Sequence, residues 1–317
     1  MRVLVVRLSA LGDVAMTVPV IYGVAAANPD VRFTVVTRPF MAQLFVGRPE
    51  NVDVLGVEPR SGMWSVLRRL AHMGITHVAD LHNVSRSWII DAWMLLHGKR
   101  VCMVDKMRSE RRRVLRCGAQ APGFTSRYAD VFCRLGLAAP VPAQVVRSLK
   151  ARKDSLVVGL APFARYRSKI YPPEQMRRVA ELLVQAGHRV LLFGARGKEA
   201  EVLEQWEREI AGATSVAGRH ALPDELEIMR GLDVMVSMDS ANQHLASLVG
   251  TRVVTVWGGT TPACGFAPWG QSAADSVVAG LPCQPCTIAG CERCPQGNGF
   301  ACMRSLTPEM IVDRVLL

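Results

Sequence analysis

Three stretches of this 317-residue chain carry side chains whose types and spacing suit chemistry on a phosphorylated ligand, and a fourth is dense in thiols. In LSALGDVAMTVPVI, from Leu8 to Ile21, Asp13 puts a carboxylate at the start of an apolar helical pattern. A carboxylate there can cap free amides or take a proton from a bound hydroxyl, and both readings stand. Gly12 is the one glycine where a dinucleotide fingerprint needs three, which disfavours an NAD-type oxidoreductase. In APFARYRSKIYPPEQM, from Ala161 to Met176, Arg165, Arg167 and Lys169 lie just before Pro172 and Pro173. They are either cationic donors for phosphate oxygens or a solvated loop. Because the chain has 32 arginines and only six lysines, Lys169 is the more telling residue.

In DSANQHLASLVG, from Asp239 to Gly250, Asp239, Ser240, Asn242 and His244 cluster where a strand gives way to a helix. Free amides and the positive helix end would suit a diphosphate there, although a plain cap from Asp239 or Ser240 explains the same residues. The Gly-rich WGGTTPA from Trp257 lets backbone approach a ligand closely and makes Thr260 a donor-site candidate. The chain has no Asp-x-Asp pair to hold a metal, so neutralising a leaving diphosphate would fall to these cations and the helix terminus.

Nine cysteines occur, five of them in the last 35 residues: Cys283, Cys286, Cys291, Cys294 and Cys302. Two CxxC pairs are a metal cue, but the gap between them is far shorter than the ~15 to 20 residues of a zinc ribbon. Structural zinc or an iron–sulfur centre, with Cys302 completing it, stands against reduced thiols packed in a loop.

These residues need elements to hold them. Strand-length apolar runs begin at Arg2, Arg32, Val52, His77 and Arg100, and again at Ser155, Arg189, Asp233 and Arg252, alternating with helical segments. That alternation predicts an α/β fold of two doubly wound parallel sheets, which bind ligands beyond the carboxyl ends of their strands. The proline- and charge-rich segment from Leu137 to Ser155 sets the expected boundary near residue 150, giving domains 1–150 and 151–317 that share a cleft.

Half the residues are hydrophobic, which excludes disorder, and 6% aromatic content argues against a stacking surface for nucleic acid. Residues 1–150 carry 21 basic and 10 acidic side chains, whereas residues 151–317 carry 17 of each. This one-sided excess predicts an acidic partner for the first half, or merely serves solubility. The densest basic run, Lys106, Arg108, Arg111, Arg112, Arg113 and Arg116, is either a site for phosphates, carboxylates or anionic lipid, or a solvated helix face. Arg7 and Asp13 interrupt the first apolar run before a secretory signal develops, and glycines and prolines break the uncharged stretch 253–274. A cytoplasmic protein, peripheral on the inner face of the membrane, is expected.

RLSALGDVAMTVP, DLHNVSRS from Asp80, the Lys169-Ile-Tyr-Pro segment, DSANQHLA and VWGGTTP, in this order along nearly the whole chain, resemble the ADP-heptose:lipopolysaccharide heptosyltransferases of glycosyltransferase family 9. The resemblance implies a GT-B fold, with the final helix from Pro308 returning toward the first domain. It implies inverting transfer of a heptose or related sugar from an ADP-activated donor to an acidic lipopolysaccharide core, with no cofactor required. Asp13 would be the catalytic base, and Lys169, Asp239, Ser240, Ala241 and His244 would meet the donor phosphates. Glu199 would reach the ribose. Ala241 departs from the family's glycine, which puts the phosphate pose or the donor in question. Gly12, Asp80, His82, Asn83, Arg86, Ser87, Arg111, Arg112 and Arg113 are acceptor candidates by position. Cysteines occur in this region in several family members, favouring a structural role. The rival readings are a non-catalytic nucleotide- or anion-binding protein on the same scaffold, and a metallothiolate module.

Overall fold

The computed structural model describes residues 1–58, 62–143 and 155–317. It divides into two compact units, residues 1–107 with 122–143, and residues 108–121 with 144–317. The boundary expected near residue 150 lies outside the described residues.

The first unit contains β1 (Arg2–Val6), α1 (Leu11–Ala27), β2 (Arg32–Thr37), α2 (Pro39–Ala42), β3 (Val52–Gly56), α3 (Met63–Ala71), β4 (His77–Asp80), α4 (Ser85–Leu96) and β5 (Arg100–Met103). The chain then forms α5 (Arg108–Cys117), which is part of the second unit, and α6 (Phe124–Arg134), which is part of the first. The parallel sheet runs β3-β2-β1-β4-β5, so the order reverses between β1 and β4. β1 and β2 are buried along almost their whole length, as apolar runs in a sheet covered on both faces must be. On one face Val66, Leu67 and Leu70 of α3 and Ile90 and Met94 of α4 pack with Leu4, Val6, Val36, Leu55 and Val78. Trp64, Ile89 and Leu96 on the same two helices point out to solvent.

The second unit adds β6 (Val157–Ala161), α7 (Pro173–Gln185), β7 (Arg189–Leu192), α8 (Lys198–Glu209), β8 (Ala213–Ser215), α9 (Leu222–Arg230), β9 (Val234–Met238), α10 (Ala241–Leu248), β10 (Arg252–Trp257), β11 (Ser276–Val278), α11 (Ala301–Arg304) and α12 (Pro308–Leu316). Its parallel sheet runs β11-β10-β9-β6-β7-β8, reversing between β6 and β9. The short edge strands β8 and β11 are additions to the nine expected strands.

α12 packs within the second unit, where Ile311 and Val315 join the core, and Arg252 donates to the carbonyls of Arg314 and Val315 while holding Asp275 at 2.6 Å. Two expectations change. The basic helix α5 groups with the second unit because Val114 packs with Ala121 and Cys264, and the Ala121 amide donates to the Ala263 carbonyl. That transfer removes the charge asymmetry. The first unit holds 14 basic and 9 acidic residues and the second 24 and 18, so the excess read by sequence halves is shared.

Candidate active site

In each unit most of the candidate residues gather where the strand order reverses, the place at which open α/β sheets bind ligands. In the first unit these are the turns after β1 and β4. Asp13 sits in the opening turn of α1, where Oδ2 accepts from the Ala10 amide and meets the Arg7 guanidinium at 2.9 Å. The carboxylate is therefore a cap as well as a candidate base, and among the described residues no partner engages Oδ1. Gly12 is buried beside it. Arg7, at the end of β1, is itself buried; it also donates to the Leu81 carbonyl and lies 5.6 Å from the Tyr128 ring centroid. In the sequence Arg7 shows only as a charge interrupting an apolar run. A cation at the end of a buried strand, six residues before a lone aspartate, was the available signal.

After β4, Asp80 is fully buried and organises the turn, accepting from the amides of His82 and Asn83 and from the Ser87 hydroxyl at 2.7 Å. Asn83 adopts a left-handed backbone (φ 50°). Its side chain donates to the Val104 carbonyl and accepts from the Trp88 indole, so it helps to shape the turn. Ser87, likewise buried, is taken up by Asp80 and Val84. His82 stays half-buried within 3.3 Å of the Ser9 hydroxyl, and burial followed by the nearby Arg7 cation lowers it to about 4, leaving a neutral imidazole. Arg86 is exposed at the start of α4.

In the second unit Lys169, at the end of a 3-10 turn after β6, is buried and places Nζ 2.6 Å from Asp239 Oδ2, beyond the end of β9. Thr260 donates to the same oxygen at 2.6 Å and Gln243 to the other at 3.0 Å. Gln243 was missed in the sequence; its amide also accepts from Thr255 and donates to the Phe266 carbonyl, tying α10 to the loop beyond β10. Ser240 is the residue before α10, and its side chain makes no capping bond. His244 is buried in the first turn, 3.3 Å from Gln243. Ala241 opens the helix without left-handed backbone, so nothing in its conformation demands glycine. Glu199, in the first turn of α8 after β7, accepts from the Ala195 amide.

The glycines after β10 have a local reason. A Cβ at Gly258 would lie 2.4 Å from the Ser168 carbonyl, and one at Gly259 would lie 2.9 Å from the Ser168 side chain. They let the loop press against the residue preceding Lys169, and the Gly259 amide donates to the Ser168 carbonyl. The Cys-rich segment braces the same place. Cys291 donates its amide to the Ser168 hydroxyl and accepts from the Ser168 amide, and the Cys286 and Thr287 amides donate to Gly259. All nine cysteines are free thiols, and burial together with the neighbouring cysteines pushes Cys286 up to about 12. Among the described residues no group of three or more His, Cys, Asp or Glu is placed to hold a metal ion. Arg112 and Arg113 lie exposed on α5 and Arg111 half-buried, in the same unit as Lys169 rather than with Asp13.

The model of glycosyltransferase family 9 (heptosyltransferase) matches residues 119–295. The chain belongs to this family. This family 9 glycosyltransferase is 24% identical to lipopolysaccharide heptosyltransferase 1 of Pseudomonas aeruginosa, over 92% of the chain and 87% of that protein. Its fold is similar to Escherichia coli ADP-heptose LPS heptosyltransferase II, with TM-score 0.72, 18% identity and coverage of 99% and 97% of the two chains. It is also similar to E. coli heptosyltransferase WaaC with ADP, with TM-score 0.67, 18% identity and coverage of 99% and 98%. The two doubly wound units are thus those of a GT-B enzyme.

Proposed function

We propose that this enzyme transfers a heptose or related sugar from an ADP-activated donor to an acidic lipopolysaccharide core acceptor, with inversion and without a metal ion. The observation that carries the donor half is the buried Lys169–Asp239 pair, set where the second sheet reverses and beside the start of α10. A cation held by an aspartate whose other contacts are satisfied is fixed in place for a diphosphate, and the first amides of α10 add donors. Asp239 positions Lys169, while Ser240, Ala241, His244 and Thr260 line the same strand ends and Glu199 stands at the neighbouring strand for the ribose.

Asp13 is the base. It takes the proton from the acceptor hydroxyl as that oxygen bonds to the anomeric carbon and the bond from that carbon to the diphosphate oxygen breaks. ADP leaves, its added charge met by Lys169 and the α10 amides. One displacement of this kind inverts the anomeric centre. Gly12, His82, Asn83 and Arg86 are the acceptor-side groups of the first unit; Arg111, Arg112 and Arg113 on α5 offer cations to a phosphorylated core. The setting is cytoplasmic, at an anionic membrane surface.

The test is Asp13→Asn, followed by ADP release and ADP calorimetry. Turnover should fall by about a thousandfold or more while ADP affinity stays within about twofold. An active Asp13→Asn enzyme would refute the base, and a wild-type chain that binds ADP yet releases none from any ADP-sugar would be a binding protein instead. Activity unchanged by EDTA is expected, and its loss would refute metal independence.

A further inference from the structure

On α4 the side chains of Trp88, Ile89, Ala92, Leu95 and Leu96 recur at helical spacing and fall within an arc of about 120° at 100° per residue. This stripe is turned away from the core: Trp64 on α3 and Trp88, Ile89, Leu95 and Leu96 are between 48% and 85% exposed. α3 and α4 cover one face of the first sheet together, so their outward sides belong to one layer. Arg68 and Arg69 of α3 and Arg86 of α4 are exposed around it. The only carboxylate on either helix is Asp91, which is buried. Indoles and aliphatic side chains edged by arginines, with no exposed anion, match the boundary region of an anionic bilayer. A second copy of the chain would bring arginines against arginines, which the arrangement disfavours.

We propose that the outer side of α3 and α4 is the surface by which the protein docks on an anionic lipid bilayer. This deepens the reading of the acceptor as a lipid-borne glycan, because α4 carries Arg86 in its first turn and follows the turn that holds His82. The docking layer is distinct from the basic helix α5, which carries no comparable apolar stripe: among its apolar side chains Val114 is buried and Leu115 exposed.

The experiment is co-sedimentation of the full chain with phosphatidylcholine vesicles containing about one-third phosphatidylglycerol, or none. Partition to the anionic vesicles should be about tenfold or more stronger, and should weaken with salt. The double variant Ile89→Glu with Leu96→Glu should lose at least about tenfold of that partition, and Arg68→Glu with Arg69→Glu should lose it on anionic vesicles specifically. Both should keep the wild-type melting temperature and ADP affinity, since these side chains are exposed and outside the donor site. Wild-type partition indifferent to lipid charge, or retained by both variants, would overturn the proposal. So would a concentration-dependent dimer that the first variant dissolves, which would make a second copy the occupant. The vesicles hold no acceptor, so this outcome is independent of the transferase reading, which transfer to a delipidated acceptor in solution tests separately.

Discussion

Asp239 is acceptor to three groups, Lys169, Thr260 and Gln243, and this gives Lys169 a structural role beside the donor-binding one proposed for it. Lys169→Ala would leave a buried carboxylate without its cation, a change that costs about 3 to 5 kcal/mol in comparable pairs. Denaturant unfolding of that variant should register a loss of this size, and calorimetry should find ADP binding weakened at temperatures where the variant is still folded. Unchanged ADP affinity would remove Lys169 from the donor site. Asp91 offers a second test at this scale. Burial and then the neighbouring Asp80 carboxylate push it up to about 8, so it is protonated at neutral pH in the folded chain and ionised in the unfolded one. The folded state therefore binds the extra proton, and its stability falls as pH rises from the unfolded carboxyl range through about 8. The slope is at most about 1.4 kcal/mol per pH unit, and Asp91→Asn should flatten it in urea melts between about pH 5 and pH 8. The types of Asp13, Lys169 and Asp239 were readable in the sequence because each stands at an abrupt change from apolar run to polar cluster. Their partners Arg7, Gln243 and Ser168 were not, since a bond between side chains from different turns leaves no local pattern.

At the scale of elements, all nine strands expected from apolar runs form within those runs. β8 and β11, three residues each, are too short to show a period in the sequence and are stabilised by pairing along one edge. The helix from Pro308 was legible as a helix, but its anchoring by Arg252, which donates to the carbonyls at its end, was not. The loop after β10 makes a prediction of its own. Gly258→Ala would drive a methyl into the Ser168 carbonyl, a backbone atom that cannot swing aside. Overpacking of this kind costs about 1 to 3 kcal/mol. Because the strain falls on the residue before Lys169, thermal melts should show lower stability and calorimetry weaker ADP binding; wild-type values in both would mean that the loop yields without moving the lysine.

At the scale of the molecule, each unit has its own hydrophobic core, and calorimetry should resolve two unfolding transitions. ADP at a hundred times its dissociation constant should stabilise one of them by about 2.7 kcal/mol and leave the other nearly unmoved. A shift of both would show that nucleotide binding is not confined to the second unit. The connection between the units bears on engineering. The chain passes from one to the other at residues 107/108, 121/122 and 143/144, so neither is a continuous fragment. A hybrid with a relative spliced only near residue 150 would seat a native Val114 on a foreign counterpart of Cys264. One that exchanges residues 108–121 together with everything after 143 inherits that contact intact, and recombination libraries should recover soluble enzyme mainly from the second kind of joint.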